Sequence, residues 1–265
     1  MGIVNVTPDS FSDGGQHNTV DHAVAHALSL VDEGADILDI GGESSQPGSH
    51  PVSVEEELRR VIPVIEQLAP RVDVPISIDT TKAAVMSAAL KAGANIINDI
   101  SALRADPEAI AVVVEHNAAV ILMHMQGDPS TMQAHPHYRH VVEEVYEFFE
   151  NRIRFCHEHG VHLNRLVLDP GIGFGKTTLH NLELIRHTGA FRGLGVPILM
   201  GLSRKRIVGD LTGEQNPVNR DIGSHVLESI AALSGASIIR THDVQGAKQA
   251  LSTVHGWALM EQPIV

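Results

Sequence analysis

Cys156 is the chain's one cysteine. A lone thiol excludes an internal disulfide and suits a reducing compartment, so the expected location is the cytoplasm. Positive charge is short as well: 19 Lys and Arg stand against 32 Asp and Glu, a formal net charge of −13. Such a balance excludes a general nucleic-acid binder, which needs a basic face to meet phosphates, while leaving room for a local basic pocket around a small anion. No apolar run is long enough to cross a bilayer, and no basic stretch followed by a signal-type apolar run stands at the N-terminus. Linkers, low-complexity tracts and composition shifts are missing too, so residues 1–265 read as one domain. What is present is ordinary globular material, 265 residues with 43% hydrophobic and 19% charged, enough to bury a sizeable core.

Short apolar runs at 1–6, 37–40, 76–78, 96–97, 120–123, 166–168, 198–200 and 238–239 read as buried strands. Between and after them lie stretches with helical spacing at 20–33, 53–68, 81–92, 107–116 and 141–158, and around 179–187, 222–233 and 244–254. The second of these opens with Ser53 and Glu56 three apart, a capping-box signature. Eight strand–helix pairs call for a parallel sheet covered by helices. That number favours a closed α/β barrel of the (β/α)8 TIM type over an open doubly wound sheet.

All strands of such a barrel end on one face, so the polar residues just past the apolar runs converge there. They are Asn5, Asp39, Asp79, Asn98 with Asp99, His124, Asp169, Ser203 to Arg206, and Arg240 with His242. One polar residue at a strand end is usually a helix cap or a loop anchor. Asp39 and Asp99 are the members expected to do only that, each holding a backbone turn. Asp79, Asn98 and Asp169 offer acceptors and an amide, suited to a heterocycle that presents adjacent N–H donors. Arg240, His242, Lys205 and Asn5 suit an anionic leaving group, with Asn5 an oxygen ligand for a magnesium ion that keeps most of its waters. No Ser/His/Asp or Cys/His constellation is visible.

The glycine-rich stretch DPGIGFGK at 169–176 invites comparison with a phosphate loop. It is one residue short, and Pro170 occupies the place of the first required glycine. With that reading set aside, Lys176 has no evident role.

These motifs occur in a familiar order. MGIVNVTPDSFSDGG at 1–15, GGESSQPG at 41–48, SIDT at 77–80, INDI at 97–100, LMHMQG at 122–127, DPGIGFGK at 169–176, SRK at 203–205 and IRTHD at 239–243 resemble the ordered signatures of the dihydropteroate synthase family. The resemblance covers nearly the whole chain. It implies the eight-stranded barrel and a transferase joining 4-aminobenzoate to 6-hydroxymethyl-7,8-dihydropterin diphosphate, with release of pyrophosphate. It also implies a homodimer, magnesium as cofactor and sulfonamides as inhibitors. By position it implies Asp79, Asn98, Met123, Asp169 and Lys205 around the pterin, with Asp79, Asp169 and Lys205 catalytic. Phe174 falls toward the aminobenzoate, and Asn5, Arg240 and His242 toward the diphosphate and magnesium. Ser45, Pro47 and Phe11 belong to two loops that close over the second substrate.

One motif departs from the family pattern: Gln46 stands where Arg is usual. A neutral amide there removes a mobile cation, so slower turnover and an altered sulfonamide response are expected. A Gln46→Arg variant with unchanged kinetics and inhibition would refute this. Two alternatives share the barrel, a pterin-binding paralogue of weak activity and a methyltetrahydrofolate-dependent methyltransferase. The second has no use for the anion site at Arg240 and His242. The cluster His135, His137 and His140 reads as a loop end and helix start, and His157 and His159 as a helix C-terminus. Val145, Phe148, Phe149 and Ile153 form a core stripe, Arg204 pairs structurally with a carboxylate, and Arg206 is a candidate partner for the aminobenzoate carboxylate.

Overall fold

The structure is a computed structural model describing residues 1–7, 16–44, 51–127, 132–133 and 136–260, with backbone alone at 16–18 and 260. Phe11, Ser45, Gln46, Pro47 and His135 lie outside the described residues. Among the described residues there are eight strands: β1 Gly2–Asn5, β2 Leu38–Gly41, β3 Ile76–Asp79, β4 Ile96–Asp99, β5 Ala119–Met123, β6 Leu166–Asp169, β7 Leu199–Gly201 and β8 Ile238–Arg240. All pair in parallel, β1 to β6 consecutively and β7 with β8. Two single bridges join these groups into a ring. Leu168 pairs with Ile198 and Gly2 with Thr241. The bonds behind them are Leu168 N–H to Pro197 O at 3.0 Å and Ile3 N–H to Thr241 O at 3.1 Å. The barrel is therefore closed.

The helices α1 Gln16–Asp32, α2 Val54–Leu68, α3 Ala83–Ala92, α4 Ala109–Glu115, α5 Val141–Glu158, α6 Thr178–Arg186, α7 Arg206–Thr212, α8 Asp221–Leu233 and α9 Val244–Met260 surround it. Ser53 caps α2, accepting the Glu56 N–H at 3.2 Å, but the Glu56 carboxylate bonds Arg59 and Arg60 and so leaves the reciprocal half of the box unmade. α7 is absent from the expected pattern because Gly209 sits at its centre and lowers its helix propensity. A Cβ there would lie 2.7 Å from Glu214 O and 2.8 Å from Arg220 Nη2, so the close approach of that segment needs glycine.

Two apolar layers divide the strands by pleat. The larger lies between strands and helices and holds Val4, Ile40, Ile78, Val145 and Phe149, so the α5 stripe is core. Replacing the fully buried Phe149 by Ala leaves a void of the kind that costs about 3–5 kcal/mol. The smaller layer plugs the barrel with Met1, Ile37, Ile96, Ile121, Val167, Leu199 and Ile238. Side chains alternate along a strand, so the residue two places after each plug residue also faces inward. For β2, β4, β5, β6, β7 and β8 these are Asp39, Asn98, Met123, Asp169, Gly201 and Arg240. The polar site is thus the next storey above the plug.

α8 and α9 are tied by His225, whose Nδ1 lies 2.8 Å from Glu228 and whose Nε2 lies 2.8 Å from Asp243. The bond to Glu228, against the pull of burial and with help from Asp243, raises the imidazole pKa to about 9. A raised histidine contributes stability that is complete below its unfolded value near 6.5 and lost as pH climbs through about 9. Thermal denaturation is expected to show a loss across that window that a His225→Gln variant lacks. An identical slope in both would remove the clamp from the account.

Candidate active site

The register sets the first arc of the site. Asn5 lies opposite Gly41, Gly41 opposite Asp79, and Asp79 opposite Asn98. Asn5 is the exposed residue at the mouth of β1, while Asn98 is only 5% exposed. Arg240 reaches over from β8. Its Nη2 donates to Asp79 Oδ2 at 2.9 Å and its Nε to Asp39 Oδ2 at 2.6 Å, and the same Asp39 oxygen accepts Asn98 Nδ2 at 3.0 Å. Asp39 is therefore the fully buried hub of this arc. The expectation that it merely holds a turn is corrected, since its inward parity carries it beneath the site.

Asp99 does what was expected. Facing outward, it accepts the N–H groups of Ser101 at 2.7 Å and Leu103 at 2.8 Å. These bonds hold a turn in which Ala102 and Leu103 both have positive φ.

The second arc comes from β5, β6 and β7. Met123 pairs in register with Asp169 and packs with Met125, Met132, Ile100 and Phe174. Asp169 Oδ1 accepts the Gly171 N–H at 2.8 Å, which starts the glycine turn. Lys205 extends over this turn, donating to Ile172 O at 2.6 Å with its ammonium 5.0 Å from the Phe174 ring centre. The positive φ of Arg204 and its bidentate pair with Asp221, at 2.7 and 2.8 Å, fix the segment that presents Lys205. Arg204 is thus structural, as expected. Arg206 points to solvent with 86% of its side chain exposed, 3.5 Å from Asp210.

Charge couples the two arcs. Burial pushes the Asp79 carboxyl up to about 7, against Arg240, with Asp39 adding to the rise. Burial raises Asp169 and lowers Lys205 to about 8, each opposed by the other, and Lys205 also feels Arg240 and Asp79. Asp39 and Asp79 outweigh burial at Arg240 and hold its guanidinium charged. His242 is lowered to about 4 by burial and by Arg204 and Arg240, so it is neutral at pH 7. Its Nδ1 lies 3.0 Å from Ser203 Oγ, which also accepts the His242 N–H at 3.1 Å. These two bonds hold the ring in place whichever ring nitrogen carries the proton.

His124 does not join these groups. It faces outward, edge-on to Phe148 with centroids 4.8 Å apart, and its Nδ1 is 2.9 Å from Lys176 Nζ. Lys176 is only 3% exposed, so it is an internal residue of the loop, contrary to the reading that left it without a role.

The barrel mouth thus gathers an amide, two carboxylates and a lysine above an apolar plug, with an arginine and a neutral histidine at one side. The family model described as pterin binding enzyme matches residues 1–242. The dihydropteroate synthase of Escherichia coli K12 is 48% identical over 254 residues, covering 96% of this chain and 89% of that one. The Xanthomonas albilineans dihydropteroate synthase with 4-aminobenzoic acid superimposes with a TM-score of 0.92 at 51% identity, covering 99% and 93% of the two chains. The Yersinia pestis dihydropteroate synthase with a sulfonamide drug gives 0.93 at 46% identity, covering 98% and 94%. The chain belongs to the pterin-binding enzyme family and, within it, to the dihydropteroate synthases.

Proposed function

We infer that the chain joins 6-hydroxymethyl-7,8-dihydropterin diphosphate to 4-aminobenzoate, giving 7,8-dihydropteroate and pyrophosphate. The observation that supports this most is the arrangement of Asp79 and Asn98 side by side in register, with Asp169 and Lys205 on the facing arc. Such a set accepts paired N–H donors from a pterin edge and keeps a cation near its ring carbonyl side. The C–O bond to diphosphate breaks with its electron pair leaving on pyrophosphate, and positive charge develops on the pterin methylene. Asp79 and Asp169 stabilise that charge. Arg240 and the imidazole of His242 meet the departing anion. The amine nitrogen of 4-aminobenzoate then forms the C–N bond and loses its proton to water, which needs no strong base.

Magnesium fits the donors present. Among the described residues no three His, Cys, Asp or Glu converge into a metal cage. The exposed Asn5 amide oxygen is a single hard ligand, suited to an ion held otherwise by water and phosphate oxygens. When bound, the ion would screen the diphosphate charge. Phe174 serves the aminobenzoate side, where sulfonamides compete. The chain acts in the cytoplasm as one domain and as a homodimer. A dimer is supported by the stripe Ile222, Val226, Ile230 and Leu233 on α8, exposed between 43% and 82%.

Pyrophosphate release that requires both 4-aminobenzoate and magnesium is the expected result. Pterin binding without turnover would overturn the reading in favour of a paralogue, and methyl transfer from methyltetrahydrofolate in favour of a methyltransferase. Sedimentation of the intact chain as a monomer at micromolar concentration would remove the dimer.

A further inference from the structure

We propose that Lys176 is a positioning residue for the second-substrate side of the site, fixing from within the loop that carries Phe174 and the carbonyl against which Lys205 rests. The proposal builds on the synthase reading above.

Lys176 Nζ lies 2.9 Å from His124 Nδ1 and donates to Gly171 O at 3.0 Å and Phe174 O at 3.0 Å, with His124 O further off at 3.3 Å. An ammonium has three N–H bonds, and three close acceptors stand in three directions. A neutral amine meets the same three groups by donating to the two loop carbonyls and accepting from a protonated Nδ1, so the two carbonyls are bonded in either charge state. No carboxylate lies within bonding distance of Nζ among the described residues. Burial without an ion pair is costly, and it lowers this lysine to about 7, with Asp169 opposing. His124 is lowered to about 2 by burial and then by Lys176, so its imidazole is neutral.

What these bonds secure is the loop backbone. Every carbonyl from 171 to 175 is taken by a side chain: Gly171 and Phe174 by Lys176, Ile172 by Lys205, Gly173 by Gln133 and Gly175 by Tyr138. Lys176 alone takes two. These are the two ends of the turn closed by Phe174 N–H to Gly171 O at 3.1 Å. The loop is also pressed onto the end of β5. A Cβ at Gly171 would lie 2.0 Å from His124 O, and one at Gly175 2.4 Å from Gln126 O, and both glycines have positive φ. No apolar side chain could satisfy the carbonyls that this packing traps. Without the lysine they stay buried and unpaired, or the turn moves, and Phe174 and the Ile172 carbonyl move with it. The Asp79–Asn98 arc makes no contact with this loop through Lys176, so the pterin's first anchor stays in place.

Lys176→Met tests the proposal in the intact enzyme. The KM for 4-aminobenzoate is expected to rise about tenfold or more, and calorimetric binding of the pterin diphosphate to weaken by a clearly smaller factor, because Lys205 and Asp169 also lean on this loop while Asp79 and Asn98 do not. A folded variant with an unchanged aminobenzoate KM overturns the proposal, whatever its melting temperature does, because a merely structural lysine would lower stability alone. Should Lys176→Met fail to fold, Tyr138→Phe frees the Gly175 carbonyl and keeps the lysine. A smaller rise in the same KM then supports the pinned loop, and no rise overturns it. Absence of turnover in the parent enzyme would count against the synthase reading, whereas an active parent with an indifferent variant would count against Lys176 only.

Discussion

Asp79→Asn is expected to lower kcat/KM for dihydropteroate formation by about 10²–10³, the scale on which a preorganised electrostatic group acts. The substitution keeps the shape of the side chain and an oxygen for Arg240 Nη2, which now stands 2.9 Å from Asp79 Oδ2. What it removes is the negative charge beside the methylene that becomes cationic. The fold should survive, because Arg240 retains its 2.6 Å bond to Asp39. Pyrophosphate release measures the rate, and circular dichroism checks the fold. Parent-like turnover would take the Asp79 carboxylate out of the mechanism.

The same residue predicts a pH profile. Burial, only partly offset by Arg240, raises the Asp79 carboxyl to about 7. The carboxylate form therefore grows as pH rises through that value, and kcat/KM should climb to a plateau above it. The asparagine variant should lose that limb while keeping any others. For stability the sign is opposite to that of a carboxylate whose pKa is depressed, because at Asp79 burial outweighs the pair with Arg240. A raised carboxyl makes ionisation in the folded state unfavourable above the unfolded value near 3.8, so the asparagine variant has little stability to lose at pH 8.

The barrel was legible because the strands are short apolar runs, most with a polar residue at or just past the end, as in Leu166–Asp169. The closing bridges at Leu168–Ile198 and Gly2–Thr241 were not, since single bridges leave no pattern in composition. α7 was missed because a central glycine weakens the helical signal while tertiary packing supplies the stability. Within the site the misplaced member is Asp39, which was grouped with Asp99 as a turn-holder. Asn98 and Asp99 are neighbours, yet one faces the ligand side and the other an outer turn. Counting in twos from Ile37 brings Asp39 inward, just as counting from Ile96 supports the separation of Asn98 from Asp99. Lys176 had no comparable signal. Its role depends on carbonyls at 171 and 174 that turn toward it only because β5 presses on the loop.

Asp39→Ala is expected to be the most destabilising change at the site. One Asp39 oxygen serves both Asn98 and Arg240, and no water-exposed surface remains on the residue. Its removal leaves a buried guanidinium with Asp79 as the one carboxylate bonded to it in this arc. Breaking a buried pair in this way costs about 3–5 kcal/mol. In a domain of this size that corresponds to a fall in Tm on the order of 10 °C. Asp39→Asn should fall less, since its oxygen can still accept while the charge is lost. Asp39→Ala should also raise the KM for the pterin diphosphate, because the Asn98 amide loses the acceptor that sets which of its ends faces the ligand, whereas Asp39→Asn keeps that acceptor and should raise it less. Asp99→Ala is the control. It removes two backbone bonds from an outward turn, so it should lower Tm and leave that KM unchanged. Thermal denaturation beside steady-state kinetics separates the three variants. An Asp39→Ala protein that melts like the parent, or an Asp99→Ala protein with the larger KM effect, would reverse the assignment of hub and turn-holder.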